Sequence, residues 1–315
     1  MITHNNILQD LISKFNSNKL HQSLLFVGQK GTGKASLIKK FIEHVIANNC
    51  DQISKEQQLT MMKSYSHPDI FNFGSRIIQN EDAEKMTVDG TRETIDFMST
   101  MPSILPAKFV IIDSINEMNN ASCNAILKIL EEPRKNAYFF IVCHNISDIL
   151  PTIISRCFRI AVNPISFDET VNILSQKTNN IPAVQLASLA VLSNNSPGVA
   201  IDLIKLNGLA VYNAMLLDIH QKTANSATLF LKISALDAEK LFLILINRLY
   251  MLLLQQKQIT IIGNEESFIE ILKKSNNIQN IINNFSDIIK IIKNITRLNN
   301  GIVQSWHSIL MLLSI

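Results

Sequence analysis

Long apolar runs are missing from this sequence. None reaches the ~18 uninterrupted residues expected of a membrane span, so no membrane association is expected. An export signal is missing too: Met1 to Asp10 mix Asn, His, Gln and Asp where a signal peptide carries a basic start and then an apolar stretch, which predicts a cytoplasmic protein. There is no large excess of either charge. A net charge of +3 over 315 residues gives no global electrostatic footprint of independent nucleic-acid binding, so any DNA contact is expected to be local or shared. Cysteine is scarce. Cys50, Cys123, Cys143 and Cys157 are scattered, with no Cys-x-x-Cys pair and no nearby pair of histidines to complete a zinc tetrahedron. Reduced thiols are therefore expected, and neither zinc nor another bound metal.

What is present is globular material, 47% hydrophobic and 17% charged, long enough for two or three packed units at roughly 100–200 residues each. Ile7, Leu8, Leu11, Ile12 and Phe15 recur at helical spacing and predict a first helix ending near Asn16 to Asn18. Leu24 to Val27 form a short strand that breaks into Gly28-Gln29-Lys30-Gly31-Thr32-Gly33-Lys34, after which Leu37, Ile38, Phe41, Ile42 and Val45 resume helical periodicity. The stretch from Asn48 to Lys63 is polar and weakly patterned. Strands are predicted at Ile70 to Phe73, Phe109 to Ile112 and Tyr138 to Val142, with helices from Val88 to Met98 and from Asn119 or Asn120 to Pro133. Strands alternating with helices to about residue 160 predict a doubly wound α/β domain with a parallel sheet.

After Pro164 strand signals largely disappear. Ser166 to Lys177, Pro182 to Leu192 and Gly198 to Leu206 read as three short helices of a small helical lid, and longer helices come after them, including Ala238 to Gln256 and an Ile-rich stretch from Ile281 to Ile292. The expected division is an α/β domain over residues 1–163, a lid over 164–207 and an all-α C-terminal domain over 208–315.

Gly28, Gly31, Gly33 and Lys34 between a strand and a helix fit a P-loop, in which loop amides and the first turn of the helix cradle phosphates and the lysine neutralises them. The last position departs from the pattern, because Ala35 stands where a Ser or Thr hydroxyl coordinates magnesium; Ser36 is next, but one residue along a helix is a rotation of about 100°. Asp113 closes an apolar strand in the manner of a Walker B carboxylate, yet Ser114 succeeds it where a water-activating Glu is usual. Weak binding of ATP or ADP, without hydrolysis, is the expectation. His144 or Asn145, at the end of the next strand, are the alternatives for a polar sensor of a phosphate.

The run Asn116-Glu117-Met118-Asn119 through Asn124-Ala125-Ile126-Leu127-Lys128-Ile129-Leu130-Glu131-Glu132-Pro133, with Leu150-Pro151-Thr152-Ile153-Ile154-Ser155-Arg156-Cys157 after it, closely resembles the bacterial DNA polymerase III clamp-loader subunits. The resemblance covers residues 1 to 207. His67-Pro68-Asp69 and the Val88-to-Met98 helix with Arg92 are most similar to the delta-prime branch. It implies an AAA+ P-loop domain, a lid and a C-terminal oligomerising collar, in a ring with delta and gamma/tau subunits that meets a sliding clamp and primer–template DNA within a DNA-directed DNA polymerase holoenzyme. It also implies that Arg156 reaches an adjacent subunit's ATP site, with Arg159 as supporting charge; a planar guanidinium suits pairing with phosphate oxygens. Val199 stands where related ATPase subunits carry a nucleotide-sensing arginine, and of the family's four-cysteine zinc module only Cys50 is present. These departures favour a non-hydrolysing subunit. The competing reading is an active gamma/tau-like ATPase with Ser36 on the metal and an unassigned carboxylate on the water.

Overall fold

The computed structural model describes residues 4–49, 53–73, 94, 96–178, 180–221, 223, 226, 229, 233–254, 260, 262–263, 265–274, 278–297 and 301–313. It resolves into two compact units, Met1–Ile165 and Ser166–Ile315. Arg92, Cys50 and most of the helix expected from Val88 lie outside the described residues; residues 96–99 are helical.

Among the described residues the first unit holds a five-stranded sheet of β1 (Ser23–Val27), β2 (Ile70–Phe73), β3 (Lys108–Ile112), β4 (Ala137–Cys143) and β5 (Phe158–Ala161), all parallel, in the order β2-β3-β4-β1-β5. Its helices are α1 (His4–Asn16), α2 (Lys34–Ala47), α3 (Lys55–Lys63), α4 (Asn120–Glu131) and the single turn α5 (Pro151–Ile154). Every residue of β4 is buried because both faces are covered, as a parallel sheet requires. Alternation decides which face each side chain serves. Tyr138, Phe140 and Val142 join Leu24, Phe26 and Phe109 under α1 and α2, where Leu11, Ile38, Phe41 and Ile42 fill the same layer. Phe139, Ile141 and Cys143 join Leu25, Val110 and Ile112 on the other face, against Ile126 and Leu130 of α4 and Ile153 of α5.

Two elements carry only a weak apolar signature in the sequence. The exposed edge strand β5 leaves Phe158, Arg159 and Ala161 largely in solvent, so no buried alternation marks it. Helix α3 is nucleated by a capping box in which the Ser54 hydroxyl accepts from Gln57 N and the Gln57 side chain accepts from Ser54 N. One of its buried positions is Gln58, whose amide donates to the Asn49 and Ile53 carbonyls. A polar core residue hides a helix from periodicity.

The described elements of the second unit are helices: α6 (Phe167–Lys177), α7 (Ala183–Leu192), α8 (Pro197–Lys205), α9 (Gly208–Gln221), α10 (Ala235–Leu253), α11 (Glu265–Lys274), α12 (Ile278–Arg297) and α13 (Ile302–Leu312). Leu174, Leu189 and Leu203 from α6 to α8 share one core with Tyr212, Phe242, Ile288, Ile292 and Trp306 from the later helices. Among the described residues no single helix is long and apolar enough to cross a membrane.

Candidate functional site

The phosphate loop leaves the sheet where β1 lies between β4 and β5, the crevice at which strand order reverses and ligands bind in doubly wound folds. Gly28 N donates to the Cys143 carbonyl at 3.2 Å, and a Cβ at Gly28 would stand 2.1 Å from the Val162 carbonyl oxygen, so only glycine fits between the two flanking strand ends. Gly33 is left-handed at φ 91° and caps α2 without any side-chain hydrogen bond, leaving the first turn of α2 to present its amides. Lys34 is buried, with Nζ donating to the carbonyls of Gly28 and Gln29 at 2.6 Å each. Burial pulls its ammonium down to about 8, against the attraction of Asp113 and Cys143 and with repulsion from Lys30. Burial raises the carboxyl of Asp113, and the cations Lys34 and Lys30 oppose that.

His144 and Asn145 have different surroundings. The Asn145 side chain accepts from Ser147 N and donates to Asp148 Oδ2, capping a turn of 3-10 helix at Ile146–Asp148. The imidazole of His144 is kept neutral, its pKa pushed to about 4 by burial and by Lys34 and Lys30, and its buried Nδ1 has no hydrogen-bond partner. The strand end that carries it is locked by Asn116, whose Oδ1 accepts from His144 N at 2.8 Å and whose amide donates to the Asn145 carbonyl at 2.7 Å. No sequence signal assigns Asn116 this role, because a side chain that bridges two backbone groups leaves no periodic mark. The Ser114 hydroxyl is the second buried, unpartnered polar atom at this end of the sheet.

A nucleotide's phosphates fit this set: a glycine cradle that a Cβ would fill, an uncapped helix start, a buried lysine and two orphaned polar atoms. Magnesium does not. Ala35 carries no ligand atom and Ser36 is exposed on the next position round α2. Val199 packs against the core of the second unit. Among the described residues no group of three or more His, Cys, Asp or Glu is placed to hold a metal.

Gly28, Gly31, Gly33, Lys34, Asp113 and His144 are thus brought together, and Arg156 is not among them. It sits before β5, at the opposite edge of the sheet: Phe158 pairs with Leu24 near the start of β1, whereas Ala161 pairs with Val27 just before the loop. The five residues of β1 separate the two ends by roughly 15 Å. Around Arg156 runs a groove of about 880 Å³ lined by Leu20, His21, Glu131, Pro133 and Phe158 among others. Arg159 is exposed on β5, paired with Leu25. Cys157, its thiol pushed up to about 12 by burial, is unreactive packing.

At the sheet edge where β2 and β3 begin, His67-Pro68-Asp69 is architectural. The Asp69 carboxylate accepts from the amides of Ser103, Ile104 and Leu105 at 2.6 to 2.8 Å, and His67 Nδ1 accepts from Asp69 N.

A family model described as DNA polymerase III, delta subunit, matches residues 3–166. The chain is 29% identical over 184 residues to DNA polymerase III subunit delta' of Pseudomonas aeruginosa, covering 56% of this chain and 53% of that protein. It is 26% identical over 193 residues to DNA polymerase III subunit gamma of Buchnera aphidicola subsp. Baizongia pistaciae, covering 60% of this chain and 50% of the relative. It thus spans about half the length of the curated relatives it matches. A solved gamma subunit-related protein of Thermotoga maritima is similar over 98% of both chains, at 17% identity and a TM-score of 0.48.

Proposed function

The chain belongs to the DNA polymerase III delta subunit family, and from that premise we propose that it serves DNA replication as a delta-prime type clamp-loader subunit that triggers ATP hydrolysis in a neighbour. In this reading it joins delta and gamma/tau subunits in a hetero-oligomeric ring that loads the sliding clamp on primer–template DNA. The helices from residue 208 onward act as its oligomerising collar and residues 164–207 as its lid.

The observation that carries the reading is the separation of Arg156 from the chain's own phosphate loop by the length of β1. An arginine there is of no use to a nucleotide at Lys34, but it lines a surface groove that another subunit's nucleotide can approach. The loop's own deficits agree: Ala35 and Ser114 stand in place of the metal-binding hydroxyl and the water-activating carboxylate of the hydrolysing pattern. Nucleotide, when bound here, supplies anionic phosphates for Lys34 and the α2 amides to hold, with neutral His144 contributing a hydrogen bond. Binding is structural and turnover is absent.

In trans, the Arg156 guanidinium pairs with phosphate oxygens as charge develops; such arginines are worth about 10³- to 10⁵-fold in rate. Reconstituted complexes with wild-type, Arg156→Ala or Arg156→Lys subunits test this. Assembly should be equal in all three, DNA- and clamp-stimulated hydrolysis should fall steeply with Ala, and Lys should restore only part because an ammonium lacks the planar two-point geometry. Equal rates would refute the reading.

The intact glycine cradle and the similarity to a gamma subunit favour one other reading, an active gamma/tau-like ATPase. Magnesium-dependent turnover by the isolated chain that disappears on Lys34→Ala would promote it.

A further inference from the structure

Arg156 is not a free cation. Its Nη2 lies 2.5 Å from Glu131 Oε1, while its Nη1 donates to the Thr152 carbonyl at 2.8 Å and, more weakly, to Ser155 Oγ at 3.4 Å. The contacts differ in kind. Thr152 belongs to α5, four residues back, so that bond is local and holds one nitrogen of the guanidinium, leaving Nη2 to Glu131. Glu131 is the last residue of α4, brought to Arg156 only because α4 packs on α5. Both members of the pair line the groove around Arg156.

Exposure decides what the pair can be for. With side chains 33% and 48% exposed, the ion pair adds little to stability, and its carboxylate exchanges readily for another anion. A phosphate arriving at the same guanidinium would stand within the ~4–6 Å of the Glu131 carboxylate over which like charges disfavour one another. Glu131 and an incoming phosphate therefore compete for one cation. Resting on the trans-acting reading of Arg156, we propose that Glu131 is a placeholder for the neighbour's terminal phosphate: its carboxylate occupies the guanidinium of the undocked subunit and is exchanged for phosphate when the subunits close. Glu131 thereby sets a threshold for triggering, because the neighbour's nucleotide displaces a neutralising partner before Arg156 acts on it. The Thr152 carbonyl keeps hold of Nη1 while the partner of Nη2 is exchanged.

The isosteric change separates this from a positioning role. Glu131→Gln keeps a carbonyl oxygen that accepts from Nη2 and removes only the charge, whereas Glu131→Ala removes both. The experiment measures ATP hydrolysis by reconstituted loader complexes, with and without primed DNA and clamp, across ATP concentrations. Wild type, Glu131→Gln, Glu131→Ala, Arg156→Ala and the Glu131→Gln/Arg156→Ala double variant are compared. Melting and assembly serve as controls and should be unchanged in the Glu131 variants.

Both Glu131 variants should raise the unstimulated rate or lower the KM for ATP by roughly 2- to 5-fold, the equivalent of one exposed charge pair. The gain should vanish in the double variant. Glu131→Gln equal to wild type with Glu131→Ala slower would show a positioning residue and overturn the placeholder. So would wild-type rates in both variants, or a loss in Glu131→Gln. A steep loss in Arg156→Ala beside an inert Glu131 sinks this proposal alone, whereas an inert Arg156→Ala sinks the trans-acting reading and this proposal with it.

Discussion

Glu265 has no exposed surface, and a lone buried carboxylate is expensive enough to unfold a domain. Four donors offset that cost: Arg248 Nε and Nη2 at 2.8 Å each, the Tyr212 hydroxyl at 2.6 Å and Ile262 N at 2.9 Å. Burial and the adjacent Glu265 hold the Tyr212 phenol protonated, so it stays a donor. Removing one partner strands the others. Glu265→Ala should destabilise the chain by about 3–5 kcal/mol in urea unfolding, while the apolar pair Glu265→Leu with Arg248→Met should recover much of the loss. His144 makes a second residue-scale prediction. Its pKa is about 4 in the fold against 6.5 for an ordinary histidine, so between those values the unfolded chain binds the extra proton. The associated stability is full above about pH 6.5 and drains away as pH falls towards 4, by at most about 3 kcal/mol. From pH 7 to 4 the unfolding free energy of wild type should fall relative to that of His144→Gln; parallel curves would show that the ring is not held neutral.

At the scale of elements, the loop after β1 depends on two strand ends closing on Gly28. A methyl group there meets the Val162 carbonyl oxygen at 2.1 Å, a backbone atom that cannot swing aside. Gly28→Ala should lower the melting temperature and abolish any nucleotide-dependent thermal shift, whereas Ala35→Ser, on an exposed position of α2, should leave stability within about 0.5 kcal/mol. The segment entering β3 depends on a single carboxylate. Asp69→Ala leaves the amides of Ser103, Ile104 and Leu105 without their acceptor, and a loss of about 2–4 kcal/mol is expected from denaturant titration.

For the whole molecule, the boundary that matters physically is where a core ends. Leu174, Leu189 and Leu203 lie in the same core as Phe242 and Trp306, so helices α6 to α8 are buried by the longer helices C-terminal to them. A chain ending at Ile165 keeps both layers of the sheet unit intact. It should melt cooperatively and stay monomeric. A chain ending at residue 207 carries the short helices without their apolar cover and should bind a hydrophobic dye and aggregate. Calorimetry and light scattering on the two truncations check this, and equal behaviour would mean that α6 to α8 hold together alone.

The sequence by itself determined the parallel sheet's inner strands, the loop from Gly28 to Lys34, the departures at Ala35 and Ser114 and most helix spans, because these rest on local signals: apolar runs, periodicity and glycine spacing. The edge strand β5 and helix α3 escaped it, since a four-residue exposed strand and a helix with a buried glutamine carry that pattern only weakly. Only the tertiary structure gave Asn145 a cap bond to Ser147 N and left a ring nitrogen of His144 buried without a partner, because the two environments look alike in one dimension. Only the tertiary structure, too, set Arg156 at the far end of β1 from Lys34 and against Glu131, 25 residues earlier in the chain. Parallel strands all begin at one edge and end at the other, so the end of the sheet that a residue occupies is set by strand register and helix packing, which no local pattern encodes.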